Sequence, residues 1–241
     1  MKIIISGYGK MGKTVEQVCL NRKHQITAKL DTIQDWERLE TRDTSGAVVI
    51  DFSMPKVVVS NLYRCFEMGL PVVTGTTGWY NEIEAVSKRC IQKEGALFYT
   101  PNFSLGVNIF FHINKMLAQI MAKANTYRPQ IIETHHVHKL DSPSGTALRL
   151  AEDILNVNAG LKSWVNSDSD SIEDLSVISK REGEVPGTHE VVYDSEVDRL
   201  SLKHEAKSRD GFALGAVMAA EFLQSRKGVF TMSDFLKTLG L

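Results

Sequence analysis

The sequence predicts an α/β protein with two domains, one built on a parallel sheet covered by helices and one on an open mixed sheet. Short apolar runs alternate with helical spacing through the first part of the chain, and strands of alternating polarity then replace this pattern. The chain has 241 residues, of which 43% are hydrophobic, and can therefore build two cores. We expect residues 1–104 and 209–241 to form the first domain and residues 105–208 the second.

The first domain begins with a β-branched run, Lys2–Ser6, which leads into a glycine loop and then into helical spacing over Met11–Leu20. Further runs of the same kind predict a series of strands with helices between them. Parallel strands need such crossover connections, so this order predicts a parallel sheet. The predicted strands are Gln25–Leu30, Ala47–Phe52, Pro71–Thr74 and Ala96–Tyr99, and the predicted helices are Val57–Met68 and Glu82–Lys93.

The second domain begins with a long amphipathic helix, predicted over Leu105–Lys123. Several later runs alternate in polarity, and two of them are joined through Asp194–Asp198, which favours antiparallel pairing. A small-residue helix over Gly211–Gln224, followed by a short helix with Ser233 as N-cap, is expected to return to the first domain. The predicted strands are Gln130–Thr134, Leu175–Lys180, Glu190–Tyr193 and Arg199–Lys207, and Asn166–Ser171 is predicted to be a loop.

Composition excludes several classes of protein. The 28 basic and 29 acidic residues give a net charge of −1, which disfavours binding to nucleic acid or to an anionic membrane. The charge-free stretch Pro101–Asn114 is shorter than the roughly 18 residues that a membrane helix needs, and the apolar N-terminal run is too short for a signal peptide. The three separated cysteines suggest neither a disulfide framework nor a thiolate zinc site. We therefore expect a cytoplasmic protein without nucleic-acid or membrane partners.

A G-x-G-x-x-G loop directly follows the first strand and opens a helix. Its glycines allow a tight turn, close approach of a pyrophosphate and helix–strand packing, while the helix N-terminus faces the phosphates. Asp31 follows about 20 residues later, where an acidic residue would accept hydrogen bonds from a ribose. The alternative is an ordinary glycine turn with a solvated aspartate. We predict a Rossmann-like dinucleotide site, with the loop formed by Gly7, Tyr8, Gly9, Lys10, Met11 and Gly12.

Two later strand ends would lie at the same edge of the sheet, where ligands bind. One is followed by small and hydroxylic residues, and the other could offer carbonyls and an amide to a nicotinamide. Each alone is equally consistent with an ordinary turn. The residues concerned are Gly75, Thr76 and Thr77 after one strand and Thr100, Pro101, Asn102 and Phe103 after the other.

Three histidines and a lysine lie within the five residues 135–139. Imidazoles bind zinc, but no cysteine is nearby and Lys139 would oppose a cation, so we expect no metal. A surface or core histidine cluster is a second alternative. Proton chemistry is favoured because Ser144–Thr146 opens a helix whose free N–H groups would bind an anion, such as a carboxylate, together with Lys139. In a straight strand His135 and Lys139 would be about 13 Å apart, so joint contact with a small substrate requires a bend.

These motifs resemble those of the dihydrodipicolinate reductase family, also called 4-hydroxy-tetrahydrodipicolinate reductases. The resemblance covers nearly the whole chain, and its histidine–lysine–PSGTA block is specific to that family. It implies reduction of a cyclic unsaturated dicarboxylate by NADH or NADPH in the diaminopimelate route to lysine. The motifs, in order, are GYGKMG, DFS, GTTGW, PNFSLGVN, E-x-HH-x-HK-x-D-x-PSGTA and REG…GTHEV…HEAKSRDGFALGA.

The resemblance also implies roles for individual residues. His135 would be the proton donor and Lys139 a second donor, with His136, Gly145 and Thr146 as substrate contacts. The cofactor would lie against the segments 7–12, 75–77 and 100–103 and against Asp31, with Arg209 and Phe212 approaching from the C-terminal side. Related reductases are tetramers, which agrees with our expectation that the open sheet of the second domain joins subunits into a homotetramer.

Two other functions share part of this pattern. Another Rossmann dehydrogenase acting on an amino-acid intermediate would share the first domain, but those that form thioesters require a catalytic cysteine, and Cys19, Cys65 and Cys90 lie in predicted helices. A nucleotide-sensing module would need the glycine loop without the histidine–lysine block. A hydride-transfer assay separates these possibilities.

Overall fold

The computed structural model describes residues 1–124, 126–208 and 210–241, and its contacts divide the chain into two compact units. Unit 1 comprises Met1–Leu105 and Asp210–Leu241, and unit 2 comprises Gly106–Arg209. Each unit has its own sheet and its own hydrophobic core.

Unit 1 contains a six-stranded sheet in which every recorded pairing is parallel, and this confirms the predicted fold class. Its strands are β1 (Lys2–Ser6), β2 (Gln25–Leu30), β3 (Ala47–Asp51), β4 (Val72–Thr74), β5 (Ala96–Tyr99) and β11 (Gly228–Phe230). They lie in the order β11-β5-β4-β3-β1-β2, so the C-terminal strand completes the sheet beside β5. The direction of the strand order reverses between β1 and β3, and such a switch point opens a crevice at the carboxyl ends of the strands.

The helices of unit 1 cover this sheet because their apolar stripes face it. They are α1 (Lys10–Asn21), α2 (Ile33–Glu40), α3 (Pro55–Glu67), α4 (Ile83–Gln92), α7 (Asp210–Leu223) and α8 (Met232–Lys237). The sequence analysis missed α2, whose capping box joins Thr32 to Asp35. The expected N-cap Ser233 is wrong: Thr231 caps α8, because its hydroxyl and N–H both bind Asp234.

Unit 2 packs two helices, α5 (Leu105–Met121) and α6 (Gly145–Leu155), with a five-stranded sheet. The strands are β6 (Arg128–His135), β7 (Ser163–Val165), β8 (Asp174–Arg181), β9 (Thr188–Asp194) and β10 (Arg199–Glu205), in the order β10-β9-β6-β8-β7. The central strand β6 is antiparallel to β9 and parallel to β8, so the sheet is mixed as predicted.

The apolar side chains of β9 and β10 are divided between the two faces of this sheet differently from the sequence-based prediction. The alternating polarity of these strands predicts that Val192, Leu200 and Leu202 or their neighbours lie on the open face of the sheet. Leu202 instead pairs with buried Val191 and packs against the core, and Leu200 pairs with buried Tyr193. Residues directly opposite each other in a ladder share a face, so both leucines lie on the core side and Val192 lies on the other.

Among the described residues, no helix is both long enough and apolar enough to cross a membrane.

Candidate active site

The glycine loop at the end of β1 forms a cradle that side chains would fill. Gly7 has φ +83°, and a Cβ atom there would lie 2.4 Å from the carbonyl oxygen of Phe52. A Cβ atom on Gly12 would lie 2.3 Å from the carbonyl oxygen of Gly7, whereas no described atom lies within 4 Å of the corresponding position on Gly9. The loop thus packs tightly against β3 and leaves open space where α1 begins. This arrangement fits the diphosphate of a dinucleotide at the helix N-terminus.

Asp31, at the end of β2, lies beside this loop. Its Oδ1 accepts a hydrogen bond of 2.6 Å from the backbone N–H of Tyr8. A cleft of about 440 Å³ follows from Gly7 and Gly9 past Asp31 and Thr32 to Arg64 on α3, a residue that the sequence analysis did not single out. The cleft runs along the switch point of the sheet, the place where open α/β sheets bind ligands.

Buried Asp51, at the end of β3, joins several segments of this site. Its carboxylate accepts hydrogen bonds from the hydroxyls of Ser6, Ser53 and Thr76, at 2.6, 2.9 and 2.9 Å, and from Nδ2 of Asn61 at 3.2 Å. The predicted cofactor residue Thr76 therefore points its hydroxyl into the protein, while Thr77 is exposed. Asp51 links the end of β1, directly before the glycine loop, to the segment 75–77, and only its position at the end of a strand could have indicated this.

The segment 100–103 turns back on itself after β5. The Thr100 hydroxyl bonds the backbone of Asn102, whose side-chain oxygen accepts from the N–H of Ser104. Phe103 is buried and stacks on Phe98, with ring centroids 5.9 Å apart, so its side chain belongs to the core. Pro101 is exposed at the tip of the turn. Of the two C-terminal residues expected near the cofactor, Phe212 is half-buried on α7 and Arg209 lies outside the described residues.

The chain bends directly after His135, as joint contact of His135 and Lys139 with one small substrate requires. Strand β6 ends at His135, and the N–H of Lys139 then bonds the carbonyl of His136, which closes a turn. The Lys139 ammonium lies 2.7 and 2.8 Å from the two carboxylate oxygens of Asp141. His136 is half-buried, with its ring 6.1 Å from that of His138.

The helix α6 begins at the end of this turn. Its N-cap is Ser144, whose hydroxyl accepts from the N–H of Ala147. The N–H groups of Gly145 and Thr146 belong to the first turn and have no partner within the helix. No described atom lies within 4 Å of the place that a Cβ atom on Gly145 would take, so a ligand has room there. Unit 2 thus brings His135, Lys139 and the helix N-terminus onto one short segment of chain.

Behind His135 lies a buried polar cluster formed by Glu133, His189, Ser144 and Arg181. Glu133 is fully buried and accepts from the N–H of Ser144 at 3.1 Å, and its Oε1 lies 3.4 Å from the Arg181 guanidinium. Burial acts to raise the pKa of Glu133, but hydrogen bonds from Ser144 and Ser179 and the nearby His135 lower it overall, so Glu133 is a carboxylate. The sequence analysis gave Ser144 a place at the start of a helix and assigned no role to Glu133, His189 or Arg181.

The two imidazoles of the cluster lie edge to face, with centroids 4.9 Å apart. Burial lowers the pKa of His189 to about 3, so this ring is neutral and its Nε2 lies 3.1 Å from the Ser144 hydroxyl. The coordinating atoms of Glu133, His135 and His189 lie within 4.8 Å of one another, which by distance alone would suit a metal. Arg181 and the N–H of Ser144 already occupy the Glu133 oxygens, so the cluster is better suited to holding and moving protons.

A parallel-sheet unit with a dinucleotide cradle and a second unit with a histidine–lysine cluster define a nucleotide-dependent oxidoreductase. Family models described as the N-terminus and the C-terminus of dihydrodipicolinate reductase match residues 1–103 and 106–236. The chain therefore belongs to the dihydrodipicolinate reductase family and is an NAD(P)H-dependent oxidoreductase, which confirms the resemblance.

Individual relatives agree with this assignment. A 4-hydroxy-tetrahydrodipicolinate reductase of Christiangramia forsetii is 46% identical over 239 residues, which cover 99% of each chain. One of Archaeoglobus fulgidus is 38% identical and covers 98% of this chain and 100% of its own. The structure of a dipicolinate-bound dihydrodipicolinate reductase from Paenisporosarcina sp. TG-14 aligns with a TM-score of 0.75 at 20% identity, covering 96% of this chain and 97% of that one, and shows the same fold.

Proposed function

We propose that the protein reduces 4-hydroxy-tetrahydrodipicolinate to tetrahydrodipicolinate with NADH or NADPH in the diaminopimelate route to lysine. The names of its relatives supply the reaction. The observation in this chain that supports it best is the turn after β6, which holds His135 and Lys139 on the same short segment as the N-terminus of α6.

The cofactor, when bound, supplies a hydride, and unit 1 provides its binding site. The glycine loop would hold the diphosphate through backbone N–H groups at the start of α1, and Asp31 would accept hydrogen bonds from the ribose hydroxyls. The segments 75–77 and 100–103 contribute backbone groups at the same edge of the sheet. Asp51 holds the first of these segments through the Thr76 hydroxyl.

The overall reaction releases one water and takes up one hydride and one proton. Elimination of the ring hydroxyl with a ring hydrogen, as water, gives the unsaturated substrate. The hydride adds to a ring carbon of the unsaturated substrate and leaves negative charge on a neighbouring atom. His135 donates a proton to that atom and regains one from solvent, a step typically worth about 10²–10⁴-fold in rate. The substrate is a dianion, so Lys139 and the N–H groups of Gly145 and Thr146 bind its carboxylates, with His136 as a further contact and Lys139 as a second donor.

The decisive experiment compares His135→Gln and Lys139→Ala with the wild type in turnover and in NADH binding. Both should lose two or more orders of magnitude in rate with unchanged NADH affinity, the range expected for a general acid or an electrostatic positioning group. His138→Gln is the matched control, because the His138 side chain is 73% exposed and contacts Glu184. Full activity of His135→Gln would remove the proton-donor role, and loss of activity after dialysis against a chelator would favour a metal.

We further propose that the protein is a cytoplasmic homotetramer. Three aliphatic side chains, those of Ile132, Ile178 and Val192, lie on the sheet face of unit 2 opposite the core, which supports contact with another subunit there. The three cysteines are buried and free, which supports a reducing compartment.

A further inference from the structure

Glu133 occupies a position that the strand pattern reserves for the core. Side chains two residues apart on a strand share a face, so Ile131, Glu133 and His135 all point to the buried side of the sheet. Ile131 is core, yet the next inward position holds a carboxylate with no exposed surface. A buried charge costs free energy unless it is paired, so its presence calls for a specific task.

The two carboxylate oxygens of Glu133 have different neighbours. Oε1 faces the guanidinium of Arg181 at 3.4 Å, and both oxygens accept from the N–H of Ser144, at 3.1 and 3.2 Å. Oε2 also faces the rings of His135 and His189, with nitrogen atoms at 3.4 and 3.7 Å. Because His189 is neutral, the ring that pairs with this anion on gaining a proton is His135.

These contacts orient the His135 ring. Its Nδ1 is the nitrogen that lies 3.4 Å from Glu133, so the opposite nitrogen, Nε2, points away from the carboxylate. Nε2 lies on the side of Gly187, where a Cβ atom would come within 3.1 Å of it. The ring therefore has one nitrogen beside an anion and the other on the opposite side. Nδ1 has no hydrogen-bond partner among the described residues, so the contact with Glu133 favours a proton on Nδ1 through charge and sets the direction of the ring.

Glu133 also holds the start of α6. The residue whose N–H it accepts, Ser144, is the N-cap of that helix, and Gly145 and Thr146 follow directly. One carboxylate thereby contacts both the ring of His135 and the N-terminus that faces the substrate's carboxylates. We propose that Glu133 is a positioning residue that sets the His135 ring relative to the anion-binding start of α6. This inference rests on the proposed function, in which His135 is the proton donor.

The test uses Glu133→Gln, which keeps the size of the side chain and an acceptor for Ser144 but removes the charge. We expect kcat to fall roughly 10- to 100-fold, the scale of a misplaced catalytic group, while the substrate KM changes less and NADH affinity stays the same. Glu184→Gln, on a carboxylate side chain that is 81% exposed, should leave kcat unchanged. Glu133→Asp, which retains the charge, should recover part of the lost kcat.

A double variant separates positioning from support of the fold. In the His135→Gln background Glu133→Gln should reduce kcat no further, because no imidazole remains to be oriented. Wild-type kcat in Glu133→Gln, or an equal loss with and without His135, would overturn the positioning role. If Glu133→Gln does not fold, Glu133→Asp decides: an intermediate kcat supports the role and a wild-type kcat overturns it. Full activity of His135→Gln instead refutes the proton-donor role in the proposed function, on which this inference rests.

Discussion

Nε2 of His135 faces the backbone of Gly187, and a Cβ atom on Gly187 would lie 3.1 Å from that nitrogen. Gly187 also has φ +152°, a conformation that residues with side chains rarely adopt. The uncovered side of the proposed proton donor therefore depends on a glycine from the loop before β9.

We predict that Gly187→Ala lowers kcat by roughly 10- to 100-fold, because the added methyl group displaces the His135 ring or covers its nitrogen. NADH binding, measured by fluorescence, should be unchanged. Gly183→Ala is the matched control: Gly183 also has positive φ, +46°, but no described atom lies within 4 Å of its Cβ position. That variant should lose stability with little loss of kcat, and equal effects of the two on kcat would contradict the prediction.

The proton donor should also determine the pH dependence. Burial lowers the pKa of His135 below its ordinary value, Glu133 and Asp141 partly oppose this, and the positive charges of Lys139 and Arg181 add to it. The protonated form is the acid, and it is lost as pH rises through this lowered pKa. We predict that kcat/KM, which reports the free enzyme, decreases from pH 5.5 to pH 8 with a midpoint below about 6.5.

The profile of kcat should differ from that of kcat/KM. A bound dianion favours the imidazolium form of His135, so the midpoint in kcat should lie at higher pH. His189, with a pKa of about 3, stays neutral over this range and adds no second transition. A titration of His135 by NMR should give the same midpoint as kcat/KM, whereas a flat kcat/KM profile would contradict the assignment.

Cofactor preference should follow from Asp31. Its carboxylate repels the 2′-phosphate of NADPH, Thr32 adds no positive charge, and the Lys29 ammonium is held by Glu16 at 2.7 Å. We predict that kcat/KM for NADH is at least that for NADPH and that Asp31→Asn raises the NADPH-to-NADH ratio about tenfold. Arg64 lines the same cleft, and exposed Lys10 lies in the glycine loop, so NADPH should still be used. Asp43→Asn, at a side chain 73% exposed, is the control, and a large preference of the wild type for NADPH would disprove the prediction.

Buried Asp51 should be essential for the stability of unit 1. Asp51→Asn replaces one acceptor oxygen by an amide donor, which faces either the donors of Ser6 and Asn61, now on Oδ2, or those of Ser53 and Thr76, now on Oδ1. In either orientation two donors to this buried carboxylate lose their acceptor. We predict a decrease in the free energy of unfolding of about 2–4 kcal/mol, measured by chemical denaturation. Glu37→Gln, at an exposed carboxylate of the same unit, should change it by less than about 0.5 kcal/mol.

In the proposed tetramer, subunits contact one another through the sheet face of unit 2 opposite the core, and a substitution on that face tests this. Ile178 on β8 is half-buried on that face, so Ile178→Asp should dissociate the assembly by placing a charge in an apolar contact. Light scattering measures the mass directly, and Ile172→Asp, at a side chain 83% exposed, is the control. A wild-type mass near 26.9 kDa at micromolar concentration would refute the tetramer.

Local sequence patterns predicted much of this fold, because most of its helices and strands are determined by residues that are neighbours in sequence. The strands β2 and β5 begin and end where the sequence predicted, since β2 alternates polar and apolar residues, β5 is a short apolar run, and both are bounded by polar or glycine residues. The short strands β7 and β11 were missed because three residues give no period to recognise and, unlike the equally short β4, neither runs into a glycine turn that the sequence analysis recognised. The faces of β10 were assigned wrongly because its register depends on its partner β9.

The sequence alone determined the glycine loop, Asp31 and the histidine–lysine segment, because these motifs carry their spacing within a few residues or across a single strand and helix. Only the tertiary structure decided what surrounds them. Glu133 meets Arg181 and His189, and Asp51 meets Ser6 and Thr76, from distant parts of the chain. A buried charge is tolerated only where the fold brings partners to it, and those partners are set by strand pairing and packing rather than by neighbouring residues.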